Sequence, residues 1–128
     1  MSKLDAIIKQ YEKALQRFED VLAQDENEYI RDSAIKRFEF IFDLSWKLIK
    51  AFLEQEKGII CASPKGCFRE AYQQGLPPYD EFWIVMTDMR NKTAHTCREE
   101  TFEEIYSQLP VTRDHFQTLL KATEPRQS

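Results

Sequence analysis

No run of about 18 apolar residues occurs in the sequence, and its first stretch, MSKLDAIIKQYEK, is amphipathic with no apolar core, so neither a membrane span nor a secretory leader is expected. The expected setting is cytoplasmic. Glycine and proline are scarce, at 3 and 5 residues, which excludes collagen-like and low-complexity chains. No strand-length stretch alternates with period two, so no sheet is expected. A surplus of positive charge is also missing. Lys plus Arg is 18 against 22 Asp plus Glu, a net charge of −4 that speaks against a generic binder of duplex DNA or membrane surfaces. Any nucleic-acid contact must be local. The cysteines, Cys61, Cys67 and Cys97, are odd in number and lack CxxC or Cys/His spacing, which fits reduced thiols and gives no ground for a metal site. No metal or other cofactor is expected.

What is present is core-forming material. The 128 residues are 42% hydrophobic, 12% aromatic and 31% charged, enough for one domain spanning 1–128 and no second core. Leu4, Ile7, Ile8, Tyr11, Ala14, Leu15, Phe18, Val21 and Leu22 step by threes and fours, which predicts an amphipathic helix over residues 3–24. A polar turn at 24–28 precedes a second helical pattern from about Tyr29 to Glu56, stopped by Gly58. Ser63-Pro64 reads as an N-cap with Pro at the first helical position, opening a short helix that closes at Gly75. Leu76-Pro77-Pro78 forces a break, and a fourth helix starts near Asp80 and runs toward Asn91 and beyond. Thr101 to Glu104 matches a capping box, as does Thr96 to Glu99, so a last helix begins between Cys97 and Thr101. Pro110 should kink or split it, and 123–128 reads as a frayed tail. The fold class is therefore all-α, an up-and-down antiparallel bundle of four to five helices.

The second helix carries two apolar stripes. Ile35, Phe38, Phe42, Ser45, Trp46, Ile49, Phe52 and Leu53 form one, and Phe40, Leu44 and Leu48 form another beside Ile41. Lys36, Glu39, Asp43, Lys47, Lys50 and Glu54 crowd into the remaining arc. Burial on two sides means either a central place in the bundle or a homodimer interface through Phe40, Leu44 and Leu48, and the homodimer is the favoured expectation.

The densest chemically capable segment is Arg90-Asn91-Lys92-Thr93-Ala94-His95-Thr96-Cys97-Arg98, at the junction of two predicted helices. Arg90 can hold a phosphate bidentately, His95 can transfer protons near neutral pH, and Asn91 or Thr93 can orient either. Lys92 adds a second cation for substrate binding. This is the inventory for RNA cleavage by 2′-hydroxyl attack. Asn91 and His95 share a face of a continuous helix, whereas Arg90 and His95 diverge by about 140°. Convergence of Arg90 with His95 then needs a helix end or a partner subunit. The competing account is that these groups merely cap a helix C-terminus. His115, the other histidine, reads as a packing residue in an amphipathic helix.

The run Ile35 to Lys47, IKRFEFIFDLSWK, followed by Ser63-Pro64, by REAYQQG at Arg69 to Gly75 and by RNKTAHT at Arg90 to Thr96, resembles the nucleotidyltransferase substrate-binding proteins of the HEPN superfamily. The likeness spans residues 3–122. It implies a dimerising helical bundle partnered by a minimal nucleotidyltransferase. The superfamily's Arg, four to six residues, then His falls on Arg90 and His95. In toxin members this pair is regarded as a metal-independent ribonuclease site built across the dimer, with Asn91 helping to form it and the nucleotidyltransferase acting as antitoxin. Many relatives carry Tyr two residues after the motif His, where the partner attaches AMP; here that modification position is Cys97, and a thiol is not an equivalent acceptor. Two readings follow. The chain is an endoribonuclease toxin held in check by its nucleotidyltransferase, or a non-catalytic subunit that binds a nucleotide or other substrate for it. The acidic balance favours the second and the intact motif favours the first.

Overall fold

The computed structural model describes residues 2–76, 81–96 and 98–124. Within them lie α1 (Lys3–Leu22), α2 (Glu28–Lys57), α3 (Pro64–Gln73), α4 (Phe82–His95) and α5 (Glu99–Thr123), with no strand among the described residues. Local chemistry sets most of the ends. Ser2 and Asp5 form a reciprocal capping box at the start of α1, with distances of 3.1 and 3.2 Å. Asn27 accepts from the Ile30 N–H to open α2, and Gly58 closes it in the left-handed region at φ 66°, where a Cβ would be strained. Ser63 caps α3 ahead of Pro64 as the spacing predicts.

α2 is the central helix and touches all four others. Its inner face meets a closed cycle of rings. Phe38 lies 6.2 Å from Phe42, Phe42 5.8 Å from Phe68, Phe68 5.1 Å from Trp83, Trp83 5.9 Å from Phe116, and Phe116 6.1 Å from Phe38. Rings from α2, α3, α4 and α5 thereby interlock in tilted and edge-on geometries that favour the ring quadrupoles. α1 joins from its own side: Phe18 packs edge-on against Phe116 at 5.8 Å, and the buried Tyr11 hydroxyl donates to the Phe116 carbonyl at 2.8 Å. Burial pushes the Tyr11 phenol well above its ordinary ionisation range, so it stays protonated and keeps donating.

The helix ends opposite Gly58 are tied by charge. Arg31, 6% exposed near the start of α2, donates to both carboxylate oxygens of Glu99 at the start of α5 and to Asp32, with Glu103 3.9 Å away and the Phe102 ring beneath the guanidinium. α2 and α5 therefore begin at the same end of the bundle. The hydrogen bond from Arg31 holds the Glu99 carboxyl below the usual carboxylate range.

Several expectations need correction. Leu44 is 7% exposed and Leu48 0% exposed in the single chain, so the second stripe is buried by this chain's own helices; of the three proposed dimer-interface residues only Phe40, at 58%, faces outward. The reason is α2's central position, which presents both stripes to neighbours on the same chain. Cys61 and Cys67 are not free thiols but a disulfide, because the turn from α2 into α3 brings their Cα atoms to 5.2 Å. α5, which starts at Glu99 within the predicted interval, is not split at Pro110 but continues through it, the missing N–H costing one backbone bond without ending the helix. Thr123 is its last residue and is buried rather than frayed. The Pro77-Pro78 break, the predicted start at Asp80, Cys97 and the tail from Pro125 lie outside the described residues.

Replacing the fully buried Leu48 by Ala should lower unfolding free energy by about 2–5 kcal/mol in urea denaturation. Reducing the Cys61–Cys67 bond, which closes a short loop of separation 6, should lower it by about 2 kcal/mol, measured in the same titration with and without reductant. Glu99 has a depressed folded-state pKa, so its stabilisation is present above its unfolded pKa and is lost as pH falls through the folded value. The melting-temperature gap between wild type and Glu99→Gln should therefore close as pH drops from roughly 5 to 3, as thermal melts across that range would show.

Candidate functional site

α4 runs antiparallel to the central helix and lays Arg90 against it. The guanidinium donates through Nη1 to Glu39 Oε2 at 2.9 Å and through Nε and Nη2 to the two oxygens of Asp43, each at 3.3 Å. Glu39 and Asp43 are four apart on α2 and so share a face, which gives one cation two anchors on one element. The pairing fixes the plane of the guanidinium. Its other N–H groups have no partner among the described residues and remain able to grip an anion.

The other predicted residues are distributed around the last turn of α4. Thr93 donates its hydroxyl proton to the Arg90 carbonyl at 2.9 Å, which stabilises the helix end and leaves its oxygen lone pairs as acceptors. Asn91 and Lys92 are exposed. His95 is the final helical residue, exposed and without a hydrogen-bonding or ionic partner among the described residues. Since α4 stays helical through His95, Arg90 and His95 leave the axis about 140° apart while Asn91 and His95 lie along one face. A single chain does not converge the two motif residues. Cys97 lies outside the described residues. His115 packs against the Phe82 ring at 4.7 Å, with Nδ1 2.9 Å from the Val111 carbonyl, as a packing residue would.

Beside Arg90 a groove of about 430 Å³ is lined by Ser33, Lys36, Arg37, Glu39, Phe40 and Asp43. Lys36, Glu39 and Asp43 belong to the polar arc left between the two apolar stripes of α2, to which the sequence pattern gave no role. The signal was there: a helix so apolar elsewhere keeps two carboxylates one turn apart, next to lysine and arginine. What was missing was the identity of the cation they serve. A larger cavity of about 610 Å³ at the opposite end of the bundle mixes Asp5, Glu56 and Glu124 with Lys57 and Lys121 and contains none of the motif residues. Among the described residues no cluster of His, Cys, Asp or Glu is placed to hold a metal ion, and no helix is long and apolar enough to cross a membrane.

The fold has counterparts. A probable ribonuclease HepT of Haemophilus influenzae is 36% identical over 80 residues, which are 59% of this chain and 55% of that protein, so the match spans about half of the relative's length. The crystal structure of a Thermus thermophilus protein superimposes with a TM-score of 0.84 at 33% identity, covering 90% of this chain and 99% of that one. The model of the family described as nucleotidyltransferase substrate binding protein like matches residues 6–124. With that span matched and the same helical architecture in a solved relative, the chain belongs to the nucleotidyltransferase substrate-binding-protein-like family of the HEPN superfamily.

Proposed function

We propose that the chain is the ribonuclease subunit of a two-component system whose other member is a minimal nucleotidyltransferase, and that the ribonuclease acts as toxin and the nucleotidyltransferase as antitoxin. The observation that supports this best is the end of α4: an exposed, unpartnered His95 with Asn91 on its face, and an Arg90 held rigid by Glu39 and Asp43 with N–H groups to spare. The chemistry needs no metal. A base removes the 2′-hydroxyl proton, the oxygen attacks the adjacent phosphorus, and the 5′-oxygen leaves with a proton from an acid, giving a 2′,3′-cyclic phosphate and a free 5′-hydroxyl. Arg90 would offset the charge that builds on the equatorial oxygens.

One imidazole cannot serve as base and acid in the same concerted step. A homodimer solves this by supplying His95 of the partner subunit, and it also brings each Arg90 toward a histidine that its own helix turns away. The outward end of α4, with Asn91, Ala94 and His95 exposed, is the surface proposed for that contact. Inhibition by complex formation with the nucleotidyltransferase is the proposed mode of control, since Cys97 replaces the modified tyrosine of relatives.

A second reading is favoured by one feature. The two carboxylates on Arg90 and the net charge of −4 lower the local affinity for a polyanion, which suits a non-catalytic subunit presenting a nucleotide or other small substrate to its partner. Purified protein incubated with RNA in EDTA separates the two. Cleavage that persists in chelator and falls by about 100-fold or more in His95→Ala, read on denaturing gels, is the expected result. A folded wild type with no cleavage would leave the substrate-binding role.

A further inference from the structure

We infer that Phe40 is a base-stacking residue and that the groove it shares with Arg90 receives an unpaired stretch of RNA, the phosphates of which are gripped by Lys36 and Arg37. The inference rests on the ribonuclease reading and gives that site a substrate class. Phe40 is the one apolar residue in the groove's lining: its neighbours Phe38 and Phe42 are 0% and 2% exposed, and Phe40 stands 58% exposed at the groove's edge. An exposed aromatic ring on a rigid helix presents a π face that any base can cover, which is how sequence-tolerant single-strand binders work.

The charges around it are arranged to match. Lys36 and Arg37 sit four and three residues before Phe40, so all three share one side of the helix. Glu39 and Asp43 are both engaged by Arg90, which leaves the uncommitted charge of the groove positive in a chain that is negative overall. From Ser33 to Phe40 the groove floor runs about 10 Å along the helix, the length of two or three stacked nucleotides. In a duplex each base is already stacked on both faces, so only an unpaired base can lie on the ring. The alternative occupant, a second copy of this chain, is disfavoured here. Leu44 and Leu48 are consumed inside the bundle, which leaves Phe40 as the groove's one apolar lining residue where a dimer centre needs several, and a two-fold contact at Phe40 would face Lys36 and Arg37 with their own copies.

The test uses His95→Ala full-length protein, so that RNA is bound without being cut, and a fluorescein-labelled decamer of mixed sequence, single-stranded or annealed to its complement. Fluorescence anisotropy should show tighter binding of the single strand. Phe40→Leu, which keeps an apolar side chain and removes the ring, should weaken single-strand binding by roughly 5- to 100-fold and leave the duplex unchanged. Phe40→Trp should restore it. Lys36→Gln with Arg37→Gln should reduce the slope of affinity against salt by about one to two. Helical circular dichroism confirms folding of each variant, and sedimentation gives its mass. Unchanged single-strand affinity in Phe40→Leu, or an equal loss for both RNAs together with a fall in mass, overturns the proposal. The parent reading fails separately: RNA cleavage absent from the wild type, with Phe40-dependent single-strand binding intact, removes the ribonuclease and leaves the stacking site standing.

Discussion

Phe116 is the constraint on which the rest of the bundle depends. Its ring is approached by Tyr11 and Phe18 from α1, by Phe38 from α2 and by Trp83 from α4, and its carbonyl accepts the buried Tyr11 hydroxyl. Close-packed interiors leave little freedom once such a hub is filled. With Phe116 in place the register of α5 against α2 is set, and that register brings Glu99 onto Arg31 at the far end. The apolar hub and the polar clasp thus determine one another, the first through shape and the second through bidentate geometry.

The same central helix builds the core and the candidate site. On its inner side Phe38 and Phe42 enter the aromatic cycle; on its outer arc Glu39 and Asp43 hold Arg90. This arrangement makes the guanidinium a fixed element rather than a free surface side chain, because its anchors stand on the most extensively packed helix of the molecule. His95 differs in kind. It stands at the end of α4, without a partner among the described residues, where an imidazole keeps access to solvent and to whatever binds. In the proposed reaction the two would divide the work, since charge stabilisation benefits from a preorganised cation and proton transfer requires reach.

Much of this could be read from the chain. The caps at Gly58 and Ser63 and the threes-and-fours spacing place α1 to α3 within a residue or two, and the Arg90 to His95 spacing marks the candidate segment. Other features could not be read. The reading of Leu44 and Leu48 as a dimer face fails because periodicity shows that a stripe is buried without showing by which chain. The Cys61–Cys67 bond escaped because an odd cysteine count is compatible with one pair and one thiol, and only the path of the turn after α2 brings that pair within bonding range.

The sequence by itself determined that the chain is helical, where most helices begin and end, and which segment carries catalytically capable groups, since these depend on contacts within four residues along the chain. Only the tertiary structure decided what the two apolar stripes of α2 face, and it paired Arg90 with Asp43 and Glu39, 47 and 51 positions away. Those choices rest on the mutual fit of five helices around the rings, and no local pattern encodes the partner of a charge half a chain distant.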